Sequence, residues 1–152
     1  TNILRATKSP GYIRLGDFVE LVMNSTDWYH QLNKPFWAPA DWVFGLIWSI
    51  LYPIIIFVNI YVVYLLAKGK IGWLVVLPFW INAVANIIFA PLQFGLRNNI
   101  LALIDIVIVL VTIIWSIVAI WPHNKYLAIA FVPYGIWVAI ATTLQTYITL
   151  NN

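Results

Sequence analysis

Residues 33–52 read N-K-P-F-W-A-P-A-D-W-V-F-G-L-I-W-S-I-L-Y, and their reading decides how the rest of the chain is understood. Pro35 and Pro39 lack backbone N–H groups and disfavour helix in the residues before them, so the first part is a stiffened loop. From Trp42 onward the stretch becomes an uncharged apolar helix, with Trp42 and Trp48 about one and a half turns apart. A rigid aromatic loop feeding straight into a membrane helix suits a lid over a cavity. The remaining apolar segments then read as the walls of that cavity.

Composition supports a membrane setting. Of 152 residues, 63% are hydrophobic and only 9% are charged, against roughly 25% charged in a soluble domain. An aqueous surface cannot be built from such a chain, which therefore reads as one integral membrane domain over residues 1–152. Aromatics reach 16%, including nine Trp, which fits interface belts plus an aromatic-lined site. The net charge of +3 comes from scattered Lys and Arg with no basic run, which argues against a nucleic-acid partner. The absence of cysteine excludes disulfides, thiolate chemistry and Cys-based metal sites.

Four uncharged or nearly uncharged runs follow the loop, at about 42–67, 71–96, 100–121 and 126–150, the third interrupted only by Asp105. Each is long enough to cross a hydrocarbon core of ~30 Å at ~1.5 Å per residue. Backbone polar groups in lipid must be satisfied internally, so these spans are helices. The short turns Lys68-Gly69-Lys70, Arg97-Asn98-Asn99 and Pro122-His123-Asn124-Lys125 make neighbouring spans antiparallel. Loop 33–41, turn 97–99 and residue 152 then lie on one side (side A), and turns 68–70 and 122–125 on the other (side B). Lys and Arg near the span ends number two on side A and three on side B, which does not decide orientation. Pro53, Pro78, Pro91 and Pro133 are expected to kink their helices rather than break them.

Residues 1–33 differ in character. Arg5, Lys8, Arg14, Asp17, Glu20 and Asp27 leave no room for an uncharged span. Leu15, Phe18, Val19 and Val22 recur at helical spacing, which suggests an amphipathic helix lying on the bilayer. A broken or tilted first span is the alternative.

Position along each span gives depth. Trp48 lies ~10 Å below side A, with Ser49 beside it and Tyr52 one turn deeper. Asn82, Asn86, Phe89 and Gln93 share one helix face, with Asn86 ~15 Å deep. Trp137, Ala141, Leu144 and Gln145 share another, with Thr142 and Thr143 next to it. Polar groups from all four spans thus gather in the side-A half beneath loop 33–41. One buried Asn alone reads best as glue between helices. With Gln93 on the same face and two Trp at matching depths, a ligand cavity is the better reading. Asp105, ~7 Å from side A, is expected to pair with Arg97 or Lys34.

Catalytic constellations are absent from the sequence. His30 and His123 lie outside the spans without a Cys or Glu cluster, so no metal site is expected. No nucleophile–base pair, Gly-rich phosphate loop or buried carboxylate pair occurs, and no resident cofactor is called for. What remains is a flat, aromatic, weakly polar pocket, suited to a planar apolar ligand stacked on indoles and oriented by amides and hydroxyls.

Trp28-Tyr29, Lys34-Pro35-x-Trp37-x-Pro39 and Trp42-Val43-Phe44-Gly45-x-x-Trp48-x-x-Leu51-Tyr52 resemble the tryptophan-rich sensory protein family (TspO, the translocator protein, formerly the peripheral benzodiazepine receptor). Asn82-x-x-x-Asn86, Pro91-x-x-Phe94-Gly95-x-Arg97, Leu103-Ile104-Asp105 and Pro133-Tyr134-x-x-Trp137-x-x-x-Ala141-Thr142 continue the match in the family's order. The resemblance implies a five-helix membrane bundle, often dimeric, that binds porphyrins and haem and, in some members, sterols and synthetic drugs. It implies ligand contacts at Trp48, Asn82, Asn86, Phe89, Trp137 and Ala141, joined by Trp28, Tyr29 and Trp37 from the loop region. Some members are reported to break down protoporphyrin in light, which would make Trp48 and Trp137 the reactive pair.

Three departures stand out. A charged segment occupies the place of the family's apolar first helix, Pro39-Ala40 stands where two prolines are common, and no base follows Tyr147, so cholesterol recognition is expected to be weak. The functions in contention are a membrane receptor or carrier for tetrapyrroles, a light-dependent porphyrin-degrading enzyme, and a scaffold acting through partner helices.

Overall fold

A computed structural model describes Asn24 and residues 27–152. Residues 1–31 and 32–152 form two compact units. In the first, residues 27–30 form a helical turn closed by Gln31 N–H donating to the Trp28 carbonyl at 3.1 Å. The amphipathic helix expected around Leu15, Phe18, Val19 and Val22 lies outside the described residues, as does the question of whether that segment crosses the membrane.

Four long helices make up residues 32–152: α1 (Asp41–Ala67), α2 (Trp73–Ala90, continued by a wider turn over Pro91–Gly95), α3 (Asn99–Ile120) and α4 (Lys125–Asn151). All four are long and apolar enough to cross a membrane. Among the described residues regular structure is entirely helical, and the chain is a multi-pass integral membrane protein.

The helix ends follow local chemistry. Gly69 takes φ 65° after α1, and Lys70 N–H reaches back to the Leu65 carbonyl at 2.9 Å, closing the helix as only a residue at ease with positive φ readily does. The Asn98 side chain accepts from Leu101 N–H and caps α3, while that of Asn124 accepts from Tyr126 and Leu127 N–H and caps α4. At Pro91 the missing N–H does not end α2; the turn widens, Leu96 N–H bonding the Pro91 carbonyl five residues back at 2.9 Å.

Helix α3 packs between α2 and α4, so its buried positions (Ala102, Asp105, Ile106, Val109, Thr112, Ile113, Ser116, Ile120) span a wide arc. Helix α1 leans mainly on α4 and buries a single stripe, Leu51, Val58, Val62 and Leu65. Lipid is as apolar as these side chains, so close packing and interhelical hydrogen bonds hold such helices together. Gly135 shows the first effect: a Cβ there would stand 3.2 Å from Ile113 Cγ2, so α4 and α3 pack closely enough that a larger side chain would make Ile113 shift by a few tenths of an ångström.

Hydrogen bonds across the side-A ends agree with the topology expected from the turns. Asn33 N–H donates to Asn152 Oδ1 at 2.8 Å, and Asn152 Nδ2 returns a bond to the Asn33 carbonyl at 3.2 Å. Loop 32–40 is thereby fastened to the C-terminal end of α4.

Candidate functional site

Tyr134 is the centre of the interior. It is fully buried on α4, and every helix reaches it directly or through one intermediary. From α1, Trp48 sets its ring edge-on to the Tyr134 ring at 6.1 Å and stacks on Tyr52 at 4.9 Å. From α2, Asn86 Nδ2 donates to the Tyr134 hydroxyl at 2.8 Å. That hydroxyl donates to Asn82 Oδ1 at 3.3 Å. Asn82 Nδ2 in turn donates to the Val109 carbonyl and to Thr112 Oγ1 of α3, both at 3.1 Å. Phe131 supports the phenol from below, edge-on at 5.3 Å.

One turn nearer side A, Trp137 is 7% exposed and meets Phe44 of α1 edge-on at 5.4 Å. Its indole Nε1–H is buried and has no acceptor among the described residues. A buried donor left unmade costs about 1–3 kcal/mol, so such a group invites an occupant that can accept from it.

A second polar cluster lies closer to side A. Gln145 Nε2 donates to Gln93 Oε1 at 3.0 Å and to the Asn99 carbonyl at 3.3 Å, and Thr149 Oγ1 donates to the same carbonyl at 3.1 Å. Gln93 Nε2 reaches Asn99 Oδ1 at 3.4 Å. These bonds tie the side-A ends of α2, α3 and α4 together.

The residues singled out by sequence divide accordingly. Trp48 and Asn86 converge on Tyr134, Trp137 lies one turn nearer side A against Phe44, and Phe89 and Ala141 are half-buried against the same core. Asn82 is 1% exposed with both polar atoms engaged, so it acts as the interhelical glue that a lone Asn suggests. Trp37 sits in the loop, 43% exposed. Trp28 and Tyr29 belong to the unit 1–31. Gln93 shares the Asn82–Asn86 face but joins the side-A cluster.

The small hydroxyls expected to line the pocket turn to their own helices: Ser49 bonds the Leu46 carbonyl, Thr142 that of Val138 and Thr143 that of Ile140. Asp105 is 7% exposed and its Oδ2 has no hydrogen-bond partner among the described residues, so the expected pairing with Arg97 or Lys34 does not satisfy that oxygen.

Tyr134 itself was not among the expected ligand residues. Its spacing of three from Trp137 and seven from Ala141 places it on their face, a signal present in the sequence. Among the described residues no group of His, Asp or Glu could hold a metal ion.

Residues 11–150 match the family described as TspO/MBR. The chain is 30% identical over 125 residues to a tryptophan-rich sensory protein of Cereibacter sphaeroides, covering 82% of this chain and 76% of that one. It is 32% identical over 128 residues to the tryptophan-rich protein TspO of Archaeoglobus fulgidus, covering 82% and 80%. To the human translocator protein it is 32% identical over 130 residues, covering 82% and 75%.

Proposed function

The chain belongs to the TspO/MBR family, and on that footing we propose that it is a membrane receptor or carrier for porphyrin-type tetrapyrroles and similar planar hydrophobic molecules. The observation that carries the proposal is the convergence of Trp48 from α1, Asn86 from α2 and Tyr134 from α4 at one level within the bundle, beside the unpartnered Nε1–H of Trp137. Flat aromatic guests gain from edge and face contacts with such rings, and a few polar atoms suffice to orient them. Porphyrin or haem enters as a ligand and not as a resident group. The names carried by relatives, sensory protein and translocator protein, fit a chain that binds and passes on a ligand.

Titration of the detergent-solubilised protein with protoporphyrin IX, read by quenching of the intrinsic Trp fluorescence, tests this directly. Saturable quenching that weakens at least tenfold in Trp48→Ala supports it. Linear, unsaturable quenching equal in wild type and variant contradicts it.

A further inference from the structure

The charges of the unit 32–152 are divided unevenly between its two ends. Its acidic residues both belong to side A: Asp41 opens α1 there, and Asp105 lies in the side-A half of α3, with Lys34 and Arg97 at the same end. Side B carries Lys68, Lys70 and Lys125 and, among the residues of this unit, no carboxylate. All three lysines are exposed. Their counter-charge therefore comes from outside residues 32–152.

Lys68 and Lys70 stand at the end of α1, where a lysine has an ordinary use in bonding the last carbonyls of the helix. Here backbone groups already fill that role. The carbonyls of Tyr64, Leu66 and Leu65 accept from the N–H groups of Lys68, Gly69 and Lys70 at 3.0, 2.9 and 2.9 Å. The Lys68 side chain instead folds back along α1, with Nζ 5.8 Å from the centre of the Tyr64 ring, inside the ~6 Å reach of a cation–π contact.

Tyr64 begins a ladder of rings. The Tyr61 ring lies 5.7 Å from it, and the Phe57 ring lies 6.1 Å beyond Tyr61. All three are exposed, about 100° round the helix from the buried stripe of Leu51, Val58, Val62 and Leu65. From Lys68 to Phe57 the ladder descends ~16 Å, about half of a ~30 Å hydrocarbon core. A belt aromatic anchors at the interface alone; this row runs on toward the middle of the bilayer.

A cation at the water–lipid boundary above a row of rings matches a molecule with an anion at that boundary and an apolar chain beneath it. We infer that this face of α1 binds one anionic phospholipid, its phosphate on Lys68 and Lys70 and an acyl chain along Tyr64, Tyr61 and Phe57. A free phosphate would use the lysines and leave the rings without a role. A zwitterionic lipid brings its own cation, which cancels part of the attraction. The surface is on the outside of α1 toward side B, so the inference stands apart from the porphyrin reading of the interior.

Native mass spectrometry of the full chain released from detergent, after titration with dioleoyl phosphatidylglycerol or dioleoyl phosphatidylcholine, gives the affinity for the first lipid bound. Wild type is expected to prefer phosphatidylglycerol at least tenfold, at about fivefold for each lysine. Lys68→Gln and Lys70→Gln together are expected to bring the two affinities within about twofold. Lys125→Gln removes the same charge from side B on another helix and is expected to keep a preference of at least about fivefold. Tyr64→Leu preserves an apolar contact but frees the Lys68 ammonium, and is expected to weaken phosphatidylglycerol binding about two- to fivefold. Each of these side chains is exposed, so the variants keep the fold.

Equal affinity of wild type for the two lipids overturns the inference. A loss of preference in Lys125→Gln as large as in Lys68→Gln does so too, because the attraction would then belong to the whole side-B surface and not to this face. Displacement of the bound lipid by millimolar glycerol 3-phosphate also overturns it, since the rings would then contribute nothing.

Discussion

Two buried amide clusters lie along the same face of α2, and they differ in what they gather around. The cluster of Gln93, Asn99, Gln145 and Thr149 gathers on one backbone carbonyl at the side-A helix ends. The chain from Thr112 through Asn82 and Tyr134 runs outward and stops at a half-buried Asn86. The first ties three helices together at side A. The second ties the same three helices around Tyr134, whose ring also meets Trp48 of α1. Buried amides in a membrane bundle are thus not equivalent: one cluster joins helix ends to each other, and the other surrounds the hydroxyl of a buried aromatic residue.

Substitutions can break this contrast or sharpen it. The largest loss is expected at Asn82, which carries three bonds and leaves the Tyr134 proton without an acceptor when removed. Asn82→Leu is expected to cost about 2–3 kcal/mol of stability, measured by denaturant unfolding from detergent, and to weaken porphyrin binding as well because Tyr134 and Asn86 lose their anchor on α3. Gln145→Leu is expected to cost about 1–2 kcal/mol in the same assay while porphyrin affinity stays within twofold of wild type. A fall in affinity comparable to that of Asn82→Leu would erase the distinction between the clusters. Gly69→Ala, remote from both, is expected to cost about 1 kcal/mol through the left-handed backbone alone and leave binding unchanged. Asn86→Leu should be mildest for stability, about 0.6 kcal/mol for one interhelical bond, yet should weaken porphyrin binding in the quenching titration.

Much of the fold could be read before any coordinates. The spans expected at 42–67, 71–96, 100–121 and 126–150 fall within two residues of the helices Asp41–Ala67, Trp73–Gly95, Asn99–Ile120 and Lys125–Asn151. The reason is physical: hydrocarbon excludes charge, so charged turns mark where helices leave it. The shared face of Asn82 and Asn86 was legible from helical periodicity, and the side-A position of the loop and residue 152 from the number of crossings. The division of the amides was not. Which residues of α3 and α4 Gln93 meets depends on the register between helices, which no single helix encodes. The hydroxyl protons of Ser49, Thr142 and Thr143 go to a carbonyl one turn back on the same helix, which is always within reach, so from these groups only the oxygen lone pairs are left for a ligand. Tyr134 was hidden by its chemistry: a Tyr among apolar residues reads as core or belt until its hydroxyl is seen to join two amides.

The chain has no cysteine, so one introduced thiol is unique and can report whether a ligand enters between the helices. Ala141 is half-buried on the Trp137 face of α4, and its neighbour Ile140 is 41% exposed on the outside of the bundle. The direct measurement is the rate at which a membrane-permeant maleimide labels Ala141→Cys and Ile140→Cys, with and without saturating protoporphyrin IX. A niche within the bundle requires at least tenfold protection at Ala141→Cys and none at Ile140→Cys. Equal protection at the two positions, or none at either, would contradict it.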